Sequence, residues 1–185
     1  MVQAAGRVAI HDNILVDAGT GQSAISVADH NGPLKVAYIY NNTVYGGTNG
    51  IRFGSAARVD HLVAGNAVFA DQPIGGAVTN VRDNVVDQIS NAGDYVAAPS
   101  NILGAMNFYP LTGRLQGTPL AYPTQFSNQR DFWKDFNGSD KGQGAFRGAY
   151  AGSGVNPGWQ LDQELKPPAN SSSSPPNPPV SLNVR

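Results

Sequence analysis

The sequence predicts an all-β chain built as a parallel β-solenoid, and three observations carry that prediction. First, four segments superimpose when aligned on one Asn: "VAIHDNIL" (8–15), "AYIYNNTV" (37–44), "HLVAGNAV" (61–68) and "TNVRDNVV" (79–86). Second, each alternates apolar and polar residues at period two, the mark of a strand with one buried face. Third, the anchors Asn13, Asn42, Asn66 and Asn84 are separated by 29, 24 and 18 residues. A supersecondary unit that recurs at such intervals buries its apolar face only by stacking on its neighbours.

The composition agrees. The 185 residues carry 22 Gly and twelve Asp against one Glu, Glu164. Such a chain is poor in helix formers and rich in turn formers. Twelve basic and thirteen acidic side chains leave a formal charge of −1, without the basic excess of a nucleic-acid or membrane-surface protein. There is no Cys, which excludes disulfides, thiolate metal sites and a Cys nucleophile. No apolar run approaches the roughly 20 residues of a membrane-spanning helix. The start, "MVQAAGRVAI", lacks the sustained apolar stretch of a signal peptide, and it reads as sequence preceded by coils in a longer protein.

Taken in order, each unit runs strand, Asn corner, strand, Gly turn, strand. Inward positions five and three before the anchor and two after it hold Val8, Ile10 and Leu15; Ala37, Ile39 and Val44; His61, Val63 and Val68; Thr79, Val81 and Val86. A third strand follows the turn in "AISV" (24–27), "GIRF" (50–53) and "PIGG" (73–76). Stacking in register puts each anchor amide over the next, so Asn13, Asn42, Asn66 and Asn84 form a structural Asn ladder. A β-sandwich is the alternative, but it gives no reason for an Asn at one offset. Residues 1–87 are therefore read as about four coils. Residues 88–165, with Trp133, Trp159 and many other aromatics, are read as an irregular C-terminal cap over the last coil. Residues 166–185, "KPPANSSSSPPNPPVSLNVR", form a disordered Pro/Ser-rich linker toward a further module. The N-terminal end of the stack presents unpaired edges and calls for preceding coils or a partner chain.

The "IxxNxV" and "GIxF" segments resemble the repeats of bacterial right-handed parallel β-helix proteins of the pectate-lyase-like superfamily. "DFNGSDKGQGAFRGAY" (135–150) is similar to the block that closes many of them, although Phe146, Arg147 and Gly148 stand where an Asp usually precedes "GAY". The resemblance implies a secreted or cell-surface protein with a polysaccharide as partner and no nucleic acid or membrane. It implies a module that binds a polysaccharide and, in its complete form, cleaves it by lyase chemistry. The alternative is a noncatalytic solenoid or adhesin-type spacer.

Candidate residues follow from which side chains face outward. Two before each anchor stand His11, Tyr40, Ala64 and Arg82, and four before stand Ala9, Tyr38, Leu62 and Asn80. Tyr38 and Tyr40 thus share one outer face about 7 Å apart, an aromatic platform suited to sugar rings, with His11 and Arg82 as further substrate contacts. Arg52 points outward between Ser26 and Gly75 on adjacent coils. A lyase removes a proton beside a uronate carboxylate, which needs a base and a cation; Arg52 and Lys35 are the catalytic candidates. Asp29, His30, Arg58 and Asp60 lie at nearby turns. No cofactor is assigned: Ca²⁺ suits this chemistry, but no Asp cluster forms a cage. "DFNGSD" (135–140) reads as a polar turn and His61 as a hydrogen-bonded core residue. The corner column Asp12, Asn41, Gly65 and Asp83 puts its carboxylates ~14 Å apart, beyond the ~6.5–9.5 Å of an inverting glycosidase pair.

Overall fold

The computed structural model describes residues 2–167 apart from 4, 5, 17, 18, 20, 30, 31, 33, 55–59 and 130. Twelve short strands lie in three four-stranded sheets. The first sheet holds β1 (Val2–Gln3), β4 (Ser23–Ala28), β7 (Asn49–Phe53) and β10 (Gln72–Gly76). The second holds β2 (Gly6–His11), β5 (Leu34–Tyr40), β8 (Leu62–Ala64) and β11 (Asn80–Arg82). The third holds β3 (Ile14–Val16), β6 (Thr43–Tyr45), β9 (Ala67–Phe69) and β12 (Val85–Asp87). The chain visits the three sheets in the same order four times, and every pairing among these strands is parallel. Antiparallel sandwich pairing is absent from these twelve strands.

Register places like residues over like. Ile25, Ile51 and Ile74 pair across the first sheet. Ile10, Ile39, Val63 and Val81 pair across the second, and Leu15, Val44, Val68 and Val86 across the third. Apart from Val81 and Val86 at the open end, these columns converge on one core. Each buried Ile or Val contributes about 1.5–3 kcal/mol of transfer free energy. His61 sits within that core, its Nδ1 accepting the Ala37 N–H at 3.0 Å.

The corner between the second and third sheets explains the Asn repeat. Asp12, Asn41, Gly65 and Asp83 have φ of 55°, 51°, 66° and 55°, the left-handed region that Asn, Asp and Gly enter most readily. The anchor Asn follows immediately, and its amide satisfies the backbone groups the corner frees. Asn13 Nδ2 donates to Asn42 Oδ1 at 3.0 Å, Asn42 Nδ2 to Asn66 Oδ1 at 3.0 Å, and Asn66 Nδ2 to Asn84 Oδ1 at 2.9 Å. The backbone N–H groups of Asn13, Asn42 and Asn66 donate to the same oxygens.

The expectation of a cap over the last coil rests on the aromatic content of residues 88–165; the described aromatics of that region lie elsewhere. They pack along the flank, and the end of the stack keeps Val81 43% and Val86 49% exposed. After a 3₁₀ turn at Ile89–Asp94, β13 (Val96–Ala98) and β14 (Asn107–Pro110) form a hairpin. Its Val96 and Phe108 join Phe69 and Tyr45 in a second core on the outer face of the third sheet. The aromatics went sideways because that face is itself apolar, with Ile14, Val16 and Val85 packed into the same cluster. Of the linker, only Lys166 and Pro167 fall within the described residues.

Residues 141–149 then cross the corner column as a strap. Asn41 Nδ2 donates to Phe146 O at 3.2 Å, Gly148 N to Gly65 O at 2.8 Å, and Ala149 N to Thr43 Oγ1 at 2.9 Å. Gly148 has φ +86°, and a Cβ there would lie 2.7 Å from Thr43 Oγ1 and 3.1 Å from Ala67 Cβ. Gly148→Ala therefore combines left-handed backbone strain with overpacking, together about 2–4 kcal/mol. A melting temperature lower by roughly 5–10 °C is expected by calorimetry; an unchanged value would contradict this close approach.

Candidate functional site

A group of titratable side chains gathers where the strap meets the first coil. Asp12, at its left-handed corner, directs Oδ2 toward His11 Nδ1 at 2.5 Å, and Lys141 Nζ donates to the same oxygen. Register sets Tyr40 beside His11, and the two rings stack at 4.8 Å and 7°. Lys141 Nζ lies 5.2 Å from the centroids of Tyr40 and Tyr122 and 6.0 Å from that of Phe132. Three π-faces and one carboxylate thus surround the ammonium, replacing much of the hydration it loses.

Burial governs the electrostatics. Loss of solvent pushes the Asp12 carboxyl above its ordinary value, and hydrogen bonding to His11 and the charge of Lys141 offset part of that rise. Burial, with the Asp12 charge added, pushes the Tyr122 hydroxyl up to about 12. The same causes raise Tyr40. The Lys141 side chain is 2% exposed. The cavity bounded by Asp12, Asn41, Tyr122, Lys141 and Gly144 measures only about 10 Å³, the space of one water. An acid or base must come within hydrogen-bond reach of its substrate. This group cannot reach a sugar ring. As it stands it works as a clasp between coil and strap.

The expected platform is not open. Tyr38 and Tyr40 do share the outer face of β5, but Tyr40 is 1% exposed beneath Tyr122 and Phe132. Tyr38 is half-buried, edge-on to Phe126 at 5.6 Å. His11 is held between Tyr40 and Asp12. Facing outward from the coil is not facing solvent here, because the C-terminal region covers the second sheet. Arg82 remains exposed, its Nη2 donating to Ala121 O at 3.4 Å and its Nη1 4.0 Å from Asp83; such a pair contributes little.

The catalytic candidates are not brought together by secondary structure. Arg52 is exposed on β7 of the first sheet, in register with Ser26 and Gly75. Lys35 belongs to the second sheet, where Gly6 pairs with Leu34 and Arg7 with Val36, leaving Lys35 as the extra, exposed residue of a bulge. Neither forms an ion pair or side-chain hydrogen bond among the described residues. Arg58 and His30 lie outside those residues. Asp135 spends both carboxylate oxygens on backbone donors, Oδ1 on Ser139 N–H at 2.8 Å and Oδ2 on Ala151 N–H at 2.9 Å. "DFNGSD" is thus a turn. Among the described residues no three His, Asp or Glu side chains converge as metal ligands.

Lys141, Tyr122 and Phe132 were not legible as partners of Asp12. The one signal was His11 next to Asp12, an imidazole and a carboxylate at a corner whose counterparts in the second and third coils are Asn41 and Gly65. No protein-family model, curated protein or solved structure matches the chain. No helix among the described residues is long and apolar enough to cross a membrane.

Proposed function

We propose that this chain is a right-handed parallel β-helix module of an extracellular carbohydrate-active protein, and that it binds polysaccharide without itself cleaving it. The β-helix reading is supported by three parallel sheets visited cyclically and by the continuous Asn ladder. The polysaccharide class comes from the resemblance of the repeats and of the 135–150 block. The observation that carries the noncatalytic role is the enclosure of Lys141 and Asp12 around a cavity for one water. Arg52, by contrast, stands open on the first sheet, whose outer face receives no hydrogen bond or ring contact from the described residues after β12. Among the described residues it has no ion-pair partner, which leaves its guanidinium open to an acidic chain.

The test is native electrophoresis through gels containing pectate, alginate or xylan, paired with assays for reducing ends and unsaturated sugars. Retarded migration in at least one gel, with no product released, is the expected result. Product formation would overturn the noncatalytic assignment. Equal mobility in every gel would leave a structural spacer.

A further inference from the structure

We infer that Trp133 is the sugar-stacking contact of this module, a subsite for one pyranose ring of a polysaccharide. The inference rests on the binding role proposed above and assigns it a place.

Trp133 is 47% exposed, whereas every other aromatic residue of the chain is buried or half-buried. Its exposure is not the looseness of a free side chain. The indole meets Phe132 at 4.6 Å and 88° and Tyr122 at 6.1 Å and 87°. Both partners also pack around Lys141 in the clasp. The backbone is pinned too. Trp133 O accepts the Lys141 N–H at 3.0 Å, Lys134 N donates to Asp131 O at 2.9 Å, and Lys134 and Asp140 form an antiparallel bridge. A ring held this way loses little freedom on binding, so stacking on it is not offset by ordering.

Its surroundings select the ligand. The residues beside it on the backbone and across the bridge are polar: Lys134 Nζ and Asp140 Oδ1 pair at 2.6 Å and stay open at the surface, and Asp131 is exposed. A protein-docking patch needs contiguous apolar area with charge kept to its rim. One exposed indole on a segment that also carries an ammonium and a carboxylate fits a smaller, amphipathic partner. A pyranose ring offers a C–H face to the π-system and equatorial hydroxyls to donors and acceptors beside it.

The experiment uses the whole chain in gels containing pectate, alginate or xylan. Trp133→Ala is expected to weaken retention at least tenfold in the gel that retards the wild type, and Trp133→Phe less. Lys134→Ala/Asp140→Ala should weaken it several-fold with an unchanged melting temperature, which separates binding from folding should Trp133→Ala be unstable. In a Trp159→Phe background, Trp133 is the sole indole, and its emission should change on adding the same polysaccharide. Retention that survives Trp133→Ala, or that only Arg52→Ala removes, would overturn the Trp133 assignment and leave the binding module standing. A wild type retarded by none of the three would overturn both.

Discussion

Asn66→Ala is expected to lower the unfolding free energy by about 3–5 kcal/mol, a large part of the roughly 5–15 kcal/mol that holds a domain folded. Asn66 is fully buried. Its Nδ2 donates to Asn84 Oδ1 at 2.9 Å, to Ile39 O at 3.0 Å and to Ala64 O at 3.2 Å. Its Oδ1 accepts the Asn42 N–H at 2.9 Å and Asn42 Nδ2 at 3.0 Å. Truncation leaves the Asn42 N–H and Ile39 carbonyl facing a void where water does not replace the amide, at about 1–3 kcal/mol for each orphaned group. Asn66→Asp preserves shape but turns a donor into an acceptor against two carbonyls, so it should cost at least as much. Asn13→Ala, at the exposed start of the ladder, should cost about 1 kcal/mol because water takes over. Urea midpoints of the three variants decide the matter. Equal losses for Asn13→Ala and Asn66→Ala would refute the ladder's structural role.

Lys141→Met should cost a similar amount, about 3–5 kcal/mol, because it strands the Asp12 carboxylate in a site closed to solvent. The informative comparison is Asp12→Asn/Lys141→Met, which removes both charges and should recover most of the loss. The single variant also carries a pH signature. Burial already raises Asp12 above 3.8 in the folded chain, with Lys141 opposing the rise. Removing Lys141 raises it further, so the folded state binds the proton more tightly than the unfolded state does. Stability of Lys141→Met must then fall as pH climbs from about 3.8 through the raised value, and be regained on acidification. The double variant should lack that slope. Denaturation midpoints across this range measure it directly, and parallel pH profiles for both variants would exclude Asp12 as the group left unpaired.

What the sequence made legible is what repeats. The anchors Asn13, Asn42, Asn66 and Asn84 announced a stacked corner because one residue type returned at one offset between apolar pairs, and the inward columns followed from alternation. The residues just before them, Asp12, Asn41, Gly65 and Asp83, were readable as turn formers, and their left-handed φ values explain why only those types occur there. The covering segment was not legible, because nothing in residues 88–165 repeats. Alternation correctly turned Tyr40 outward from the coil but carried no information about what lies on top of it. Lys141 is 129 residues from Asp12, and no local pattern links a Lys in a Gly-rich turn to an Asp at a strand corner. Lys35 and Arg52 are joined by the base and cation that lyase chemistry requires and by no sequence pattern, and a bulge and a change of sheet separate them.

The strap has a consequence for how the molecule folds as a whole. A stack of coils held only by neighbour contacts is nearly one-dimensional, free to fray from either end one unit at a time. Residues 141–149 alter that arithmetic, since they touch Asp12 in the first coil, Asn41 and Thr43 in the second, Gly65 in the third and, through Arg147 at 3.8 Å, Asp83 in the fourth. Those partners lie as far as 129, 106 and 105 residues apart along the chain, so their contacts carry a high loop-closure entropy and form only on coils already assembled. The segment whose contacts span the greatest sequence distances is thus the one that ties the four coils together. A fault in any single coil is felt by all of them through the strap.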